Sequence, residues 1–171
     1  RGGLAGMLAG EGDGAARQDQ CRHQNVTVVV ATSGMAEDDP LLVQRITEMV
    51  NGSYGCRRLS ERDAAQRLAM GDAGERANRV MHLAISEGAL VGCCSSTIQP
   101  PWTEEGCGHW GLMVVDRPAQ GRGVASELAR AAEARLAAAG CSQIQIEYEY
   151  TAGDAFSERL YQWYEGSRGF S

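Results

Sequence analysis

Lysine is missing from this chain. All sixteen basic residues are arginine, which excludes a Walker phosphate loop and excludes Schiff-base chemistry, since both need the lysine amine. A basic surplus is missing too: the net charge is −6, whereas a protein that holds a phosphate backbone presents a basic face. No apolar run approaches the roughly 18 residues of a membrane span. The opening stretch, RGGLAGMLAGEGDGAARQDQ, has no apolar signal-peptide core. Neither nucleic acid nor membrane is therefore expected as a partner. Six cysteines are present, but Cys93 and Cys94 are adjacent and no CxxC occurs, so neither a disulfide framework nor a cysteine metal site is indicated. No metal is expected, and reduced thiols in a cytoplasmic protein are the plain reading.

What is present suits one domain, because 171 residues can bury roughly 70% of the unfolded surface. Residues 1–24 are Gly/Ala-rich without an initiator Met and read as a disordered tail or fragment edge; residues 25–171 form the domain. VTVVVA at 26–31 reads as a strand. Asp39-Pro40 predicts an N-cap and first turn, with Leu42, Val43, Ile46, Met49 and Val50 on one face of a helix over 40–50. Ser60 and Asp63 stand in capping-box spacing for a second helix that stops at Gly71. RVMHLAIS and ALVGCCSSTIQ are strands joined at Glu87-Gly88 as a hairpin. The segment 100–108 reads as a loop, HWGLMVVD as a strand, 122–139 as a helix ending at Gly140, CSQIQIEYEY as an alternating strand, and roughly 154–165 as a last helix. The order implies an α/β fold: a mixed, largely antiparallel central sheet flanked by helices on both faces, with one strand–helix–strand crossover.

That crossover carries the chemistry. Gly121 and Gly123 flank Arg122 where GLMVV turns into the helix. The first N–H groups of a helix lack internal partners and sit at the positive end of its dipole, so side-chain-free residues there let an anion approach bare backbone. A structural turn alone is the competing reading. A dinucleotide fingerprint is excluded, because GxGxxG needs a third glycine where Ser126 stands and belongs earlier in the chain.

The run Gln120-Gly121-Arg122-Gly123-Val124-Ala125 resembles the Gln/Arg-x-x-Gly-x-Gly/Ala signature of the GCN5-related N-acetyltransferases. GLMVV resembles that family's fourth strand. DAFSERLYQWYEGSRGF resembles its closing motif, with Asp154, Ser157, Leu160 and Tyr161 at matching spacing. The similarity covers roughly residues 25–170. Asp154 stands where the family has Asn, Arg117-Pro118 shifts a customary proline by one, and about one extra helical turn separates Tyr161 from Gly169. The resemblance implies the acyl-CoA N-acyltransferase fold and further closing strands beyond Ser171.

It also implies acetyl-CoA as co-substrate. Its pyrophosphate would lie on Gln120 to Ala125, its arm along Met113, Val114 and Val115, with Asp154 nearby. An N–H near Val115 would polarise the thioester. The acceptor amine would attack directly, with Tyr161 or Tyr164 as general acid and His109, Glu147 or Glu149 as the available bases. The acceptor would be a small-molecule amine or a protein or peptide amine; Glu104, Glu105, Glu147 and Glu149 point to a cationic one. The protein would act as a monomer or homodimer. Cys93 and Cys94 would face opposite sides of a strand as inert thiols. The rival readings are a non-catalytic acyl-CoA-binding module and a plain interaction domain.

Overall fold

The computed structural model describes residues 25–148 and 150–170. The predicted N-terminal tail over 1–24, the candidate Glu149 and the terminal Ser171 lie outside them. β1 (Val26–Val30) is followed by three helices, α1 (Ser33–Asp38), α2 (Leu42–Tyr54) and α3 (Glu61–Gly71). Then come β2 (Arg79–Ser86), β3 (Ala89–Ile98), β4 (Cys107–Val115), α4 (Val124–Ala138), β5 (Gln143–Gln145) and α5 (Ala155–Tyr161). The strands form one sheet in order β1-β2-β3-β4-β5, antiparallel except for the parallel β4–β5 pair. The α/β class and the mixed, largely antiparallel sheet are as expected. No helix among the described residues is long and apolar enough to cross a membrane.

Each face of the sheet has its own core. Ile46, Val50, Leu59 and Leu68 of the α2–α3 region pack on Met81, Leu83, Cys93 and Val114. On the other face Val124, Leu128, Ala132 and Leu136 of α4 pack with Ala84, Cys94, Trp110 and Tyr164. Cys93 and Cys94 thus point to opposite faces, and burial pushes Cys93 up to about 12 and Cys94 well above its ordinary value. Both thiols stay protonated.

Three local signals hold. Ser60 Oγ accepts from the Asp63 N–H at 3.1 Å while the Asp63 carboxylate returns to Ser60. Glu87 (φ 51°) and Gly88 (φ 77°) make a two-residue hairpin turn. Gly140, at φ 86°, follows the end of α4. Other boundaries move. α2 begins at Leu42, because the Asp39 carboxylate accepts from the Leu41 N–H (3.2 Å) and holds 39–41 as a separate turn. Gly71 is the last residue of α3, but it is a packing glycine rather than a left-handed stop: a Cβ there would lie 1.9 Å from the Ala31 carbonyl oxygen. α1 is an element the sequence pattern did not show. It is capped from afar, where Asp72 accepts from the Ser33 N–H (2.9 Å) and hydroxyl (2.6 Å). β4 starts two residues before the expected strand, at Cys107. The last helix is α5 followed by a π-helical turn, Gln162–Ser167, which absorbs extra residues ahead of Gly169-Phe170.

The largest correction concerns CSQIQIEYEY. Only Gln143–Gln145 pair, with Cys107, Gly108 and His109. The alternation is real, since Ile144, Ile146 and Tyr148 all pack on the α4 side. Ladder pairing ends there because Trp110 and Tyr148 both pack against Tyr164, with ring centroids 5.9 and 4.6 Å away. The aromatic rings occupy the vertex and the strands part beyond it.

Candidate active site

The end of β4 and the start of α4 are tied together by short-range bonds. The Asp116 carboxylate accepts from the Arg117 N–H at 2.9 Å and opens a 3₁₀ turn, Arg117–Ala119, with Ala119 buried beneath it. Gln120 Nε2 donates to the Val115 carbonyl at 3.0 Å. Gly121 (φ 74°) and Gly123 (φ 84°) then take left-handed backbone, which costs other residues about 1–2 kcal/mol. A Cβ on either would meet nothing within 4 Å, so the glycines are not there for packing. Because both are left-handed, α4 starts at Val124 rather than at the expected 122. Gly123 caps it with no side-chain hydrogen bond. The first helical bond runs from the Glu127 N–H to the Gly123 oxygen (3.1 Å), so the N–H groups of Val124, Ala125 and Ser126 have no partner within the helix. Gln120 to Gly123 are exposed, whereas Val124 turns its side chain into the core.

Beside this bare helix end lies the gap between β4 and the segment after β5. The β3–β4 register shifts by one residue between Cys93↔Val114 and Ser95↔Gly111, a bulge on β4 at Leu112–Met113. Leu112 sits there at φ 52°, an uncommon conformation for a side-chain-bearing residue. The Asp116 N–H bonds the Val91 oxygen at 2.9 Å. By the alternation of antiparallel pairing, Val114 then directs its backbone to β3, while Met113 and Val115 direct theirs into the gap. Val114 is also 3% exposed, in the α2–α3 core. The Met113 backbone and the Val115 N–H therefore face the gap, where an inserted ligand can meet them, while the Val115 carbonyl is held by Gln120 and Val114 is turned to β3. Trp110 stands at the vertex, 1% exposed, its indole N–H without a partner among the described residues. Bare helix N–H groups, free strand-edge N–H groups and an orphaned buried N–H fit an elongated acyl-CoA with its diphosphate at α4.

The candidate acids and bases separate by environment. Tyr164 is 7% exposed, ringed by Trp110, Tyr148, Trp163 and Phe170, and burial pushes it up to about 12. Tyr161 is 38% exposed, 5.7 Å from the Tyr150 ring, and is raised chiefly by its hydrogen bond to Glu165. His109 lies half-buried on the α1–α3 face, its ring over Gly111. Burial lowers its pKa first, the Glu147 carboxylate opposes this, and Arg79 adds to it. Glu147 is exposed and close enough to His109 to act on its charge, so these two candidates come together. Asp154 is the N-cap of α5, accepting from the Ser157 N–H at 2.8 Å, and this bond holds its carboxyl below the usual range. Leu112 and Trp110 are site features that sequence reasoning missed; nothing in the letters marks a bulge or a cross-strand neighbour.

The model of the acetyltransferase (GNAT) family matches residues 43–164. No curated protein matches significantly. Among solved structures, an acetyltransferase from Trypanosoma brucei is 22% identical, covering 86% of this chain and 93% of its own, with a TM-score of 0.57. Glucosamine-6-phosphate N-acetyltransferase from Arabidopsis thaliana is 12% identical, with coverage of 86% and 92% and a TM-score of 0.61. An aminoglycoside acetyltransferase from an uncultured soil metagenomic sample, in complex with trehalose, is 13% identical, with coverage of 84% and 87% and a TM-score of 0.59. At such identities the structures establish the shared fold, and the family match spans most of the chain. This chain belongs to the GNAT family of acetyltransferases.

Proposed function

We propose that the protein is an N-acetyltransferase that moves the acetyl group of acetyl-CoA to a primary amine by direct attack in a ternary complex. The observation that carries this reading is the uncapped start of α4, with Gly121 and Gly123 left-handed and open, next to a gap in the sheet faced by the Met113 backbone and the Val115 N–H. Acetyl-CoA would supply an activated thioester with a thiolate leaving group. The N–H groups of Gly121 to Ala125, with the Arg122 charge and with Gln120 holding the loop to β4, bind the diphosphate. The Val115 N–H orients the arm, and the Met113 N–H at the bulge, which lies on the His109 side of Val115, polarises the thioester carbonyl.

His109 accepts the proton of the incoming amine. Its lowered pKa keeps the imidazole neutral at pH 7, and Glu147 stabilises the imidazolium as it forms. Tyr161 gives its proton to the departing thiolate, because it is reachable from solvent, whereas Tyr164 is enclosed by four rings. Asp154 serves this site by starting α5, which carries Tyr161. A cytoplasmic location accords with free Cys56, Cys93, Cys94, Cys107 and Cys141 among the described residues.

Calorimetry with CoA and acetyl-CoA, followed by thiol release with a panel of amines, tests the reading. Tyr161→Phe should lower release about 100-fold or more with CoA affinity unchanged, and Tyr164→Phe should lower it far less. Absence of CoA binding overturns the assignment. A second reading, a non-catalytic acyl-CoA-binding module, draws on the raised pKa of both tyrosines, which weakens each as an acid. CoA binding with no release from any amine would establish it.

A further inference from the structure

Gly111 lies inside β4 and is not among the glycines with left-handed backbone, so no turn requires it. A glycine in a strand interior weakens the strand and marks a close approach. Here the approach is made by a side chain. A Cβ on Gly111 would find as its three nearest neighbours atoms of the His109 imidazole, Cε1 at 2.9 Å, Nε2 at 3.5 Å and Nδ1 at 3.9 Å. Other crowded glycines face fixed neighbours: Gly71 the Ala31 backbone, Gly92 the Val114 carbonyl, Gly108 the buried Leu136. At Gly111 the neighbour is a half-buried ring that could turn away if the space closed. His109 stands on the last rung of the β4–β5 ladder, opposite Gln145. Leaning over Gly111, the next residue on its face, the imidazole extends past that rung towards the bulge. Trp102 packs on the ring with centroids 6.0 Å apart and planes at 75°. The loop that carries Trp102 is fixed: Gln99 Nε2 donates to the Glu104 carbonyl at 2.8 Å and its Oε1 accepts from the Gly106 N–H. The Thr103 hydroxyl donates to the Pro100 carbonyl at 2.9 Å, and Pro100 is fully buried.

The lean decides whether His109 can reach the reaction. Along β4 the backbone of His109 is roughly 13 Å from Met113, whereas that of Gly111 is roughly 7 Å from it. An imidazole standing upright on its own residue would be too far from a thioester held at Met113. Over Gly111 it comes within reach of an amine in contact with that thioester, since each such contact spans about 3 Å. We infer that Gly111 is a positioning residue for proton transfer: its missing side chain lets the His109 imidazole lie along β4 and face the gap. There the amine nitrogen bonds to the thioester carbon, the carbon–sulfur bond breaks, and the amine proton goes to Nε2, the ring nitrogen nearer Gly111. This inference rests on the acetyl-transfer reading and adds a residue that serves it through His109, without itself touching the substrate.

The first measurement is NMR of the whole chain without ligand. A through-space contact between the His109 Cε1 proton and the Gly111 Cα protons is expected, and its absence overturns the inference whatever the activity. Gly111→Ala then closes the space. A strand backbone suits alanine better than glycine, so the variant should melt no lower than wild type and bind CoA equally well by calorimetry. With the amine that wild type uses best in the release panel, kcat should fall at least ten-fold while the amine KM stays within two-fold. His109→Gln should lower kcat about 100-fold. Adding Gly111→Ala to it should lower kcat no further, because the glycine acts through that ring. Wild-type kcat in Gly111→Ala, a marked loss of its stability, or a further drop in the double variant overturns the inference. Failure of CoA binding, or release from no amine, appears in wild type before any variant is made and counts against the acetyl-transfer reading itself.

Discussion

α3 and α4 begin in opposite ways. At α3 the Ser60 hydroxyl and Asp63 carboxylate answer each other's backbone N–H groups, and the helix end is closed by its own side chains. At α4 the cap is Gly123, with no side-chain bond, and the preceding loop is open. The same contrast separates two histidines. His82, 2% exposed, lies 2.8 Å from Ser96 Oγ, which accepts from Arg135 at 3.0 Å; the hydroxyl hydrogen is then free for His82 Nε2. Arg135 also donates to the Ala77 carbonyl. That network is complete. His109 has a ring neighbour in Trp102, at 6.0 Å, and a nearby carboxylate. Polar groups satisfied internally serve stability, and those left open are available to a ligand.

The contrast can be broken at four points. The largest effect should come from replacing Gly121 and Gly123 together by Val. β-Branched side chains resist positive φ and would stand where the diphosphate lies, so CoA affinity should fall about 1,000-fold, about 4 kcal/mol; calorimetry on a variant checked for folding measures it, and unchanged affinity would remove α4 from the site. The next effect is acid sensitivity at His82. Burial, assisted by Arg135, lowers its pKa to about 4, so the unfolded chain takes up the proton first. Stability from this group is complete above about pH 6.5 and is lost as pH falls towards 4, at most about 3 kcal/mol. Denaturant titrations should show that slope in wild type and a flatter one in His82→Gln; parallel slopes would refute it.

Third, Ser60→Ala should cost about 1 kcal/mol of stability and leave CoA affinity untouched, since that helix end serves only itself. Thermal unfolding and calorimetry on the same sample separate the two. The smallest effect belongs to Arg122→Gln, a several-fold loss of CoA affinity that shrinks with added salt, because an exposed charge is screened. A salt-independent loss would mean that Arg122 supports the loop rather than the diphosphate.

Much of this was legible in the letters because the signals are local. Ser60 and Asp63, Glu87-Gly88, Gly140 and the Gly121–Gly123 turn are each specified by residues within a few positions of one another. α1 was not legible, because its cap, Asp72, is 39 residues from Ser33. The end of β5 was not either: CSQIQIEYEY keeps a strand's alternation throughout, but pairing depends on what β4 offers, and β4 offers Trp110 packed on Tyr164. Tyr161 and Tyr164 were equivalent as letters three apart on one helix; only enclosure by rings from β4, the segment after β5 and the chain's end tells them apart.

The sequence by itself determined the family, the order of elements and the turn that receives an anion, because short motifs write backbone conformation directly into residue type. Tertiary structure alone decided that β4 bulges at Leu112 and that His109 and Glu147 share a face. Those are relations between strands and helices far apart in the chain, set by pairing register and by which rings fill the vertex, and no short stretch of residues encodes them.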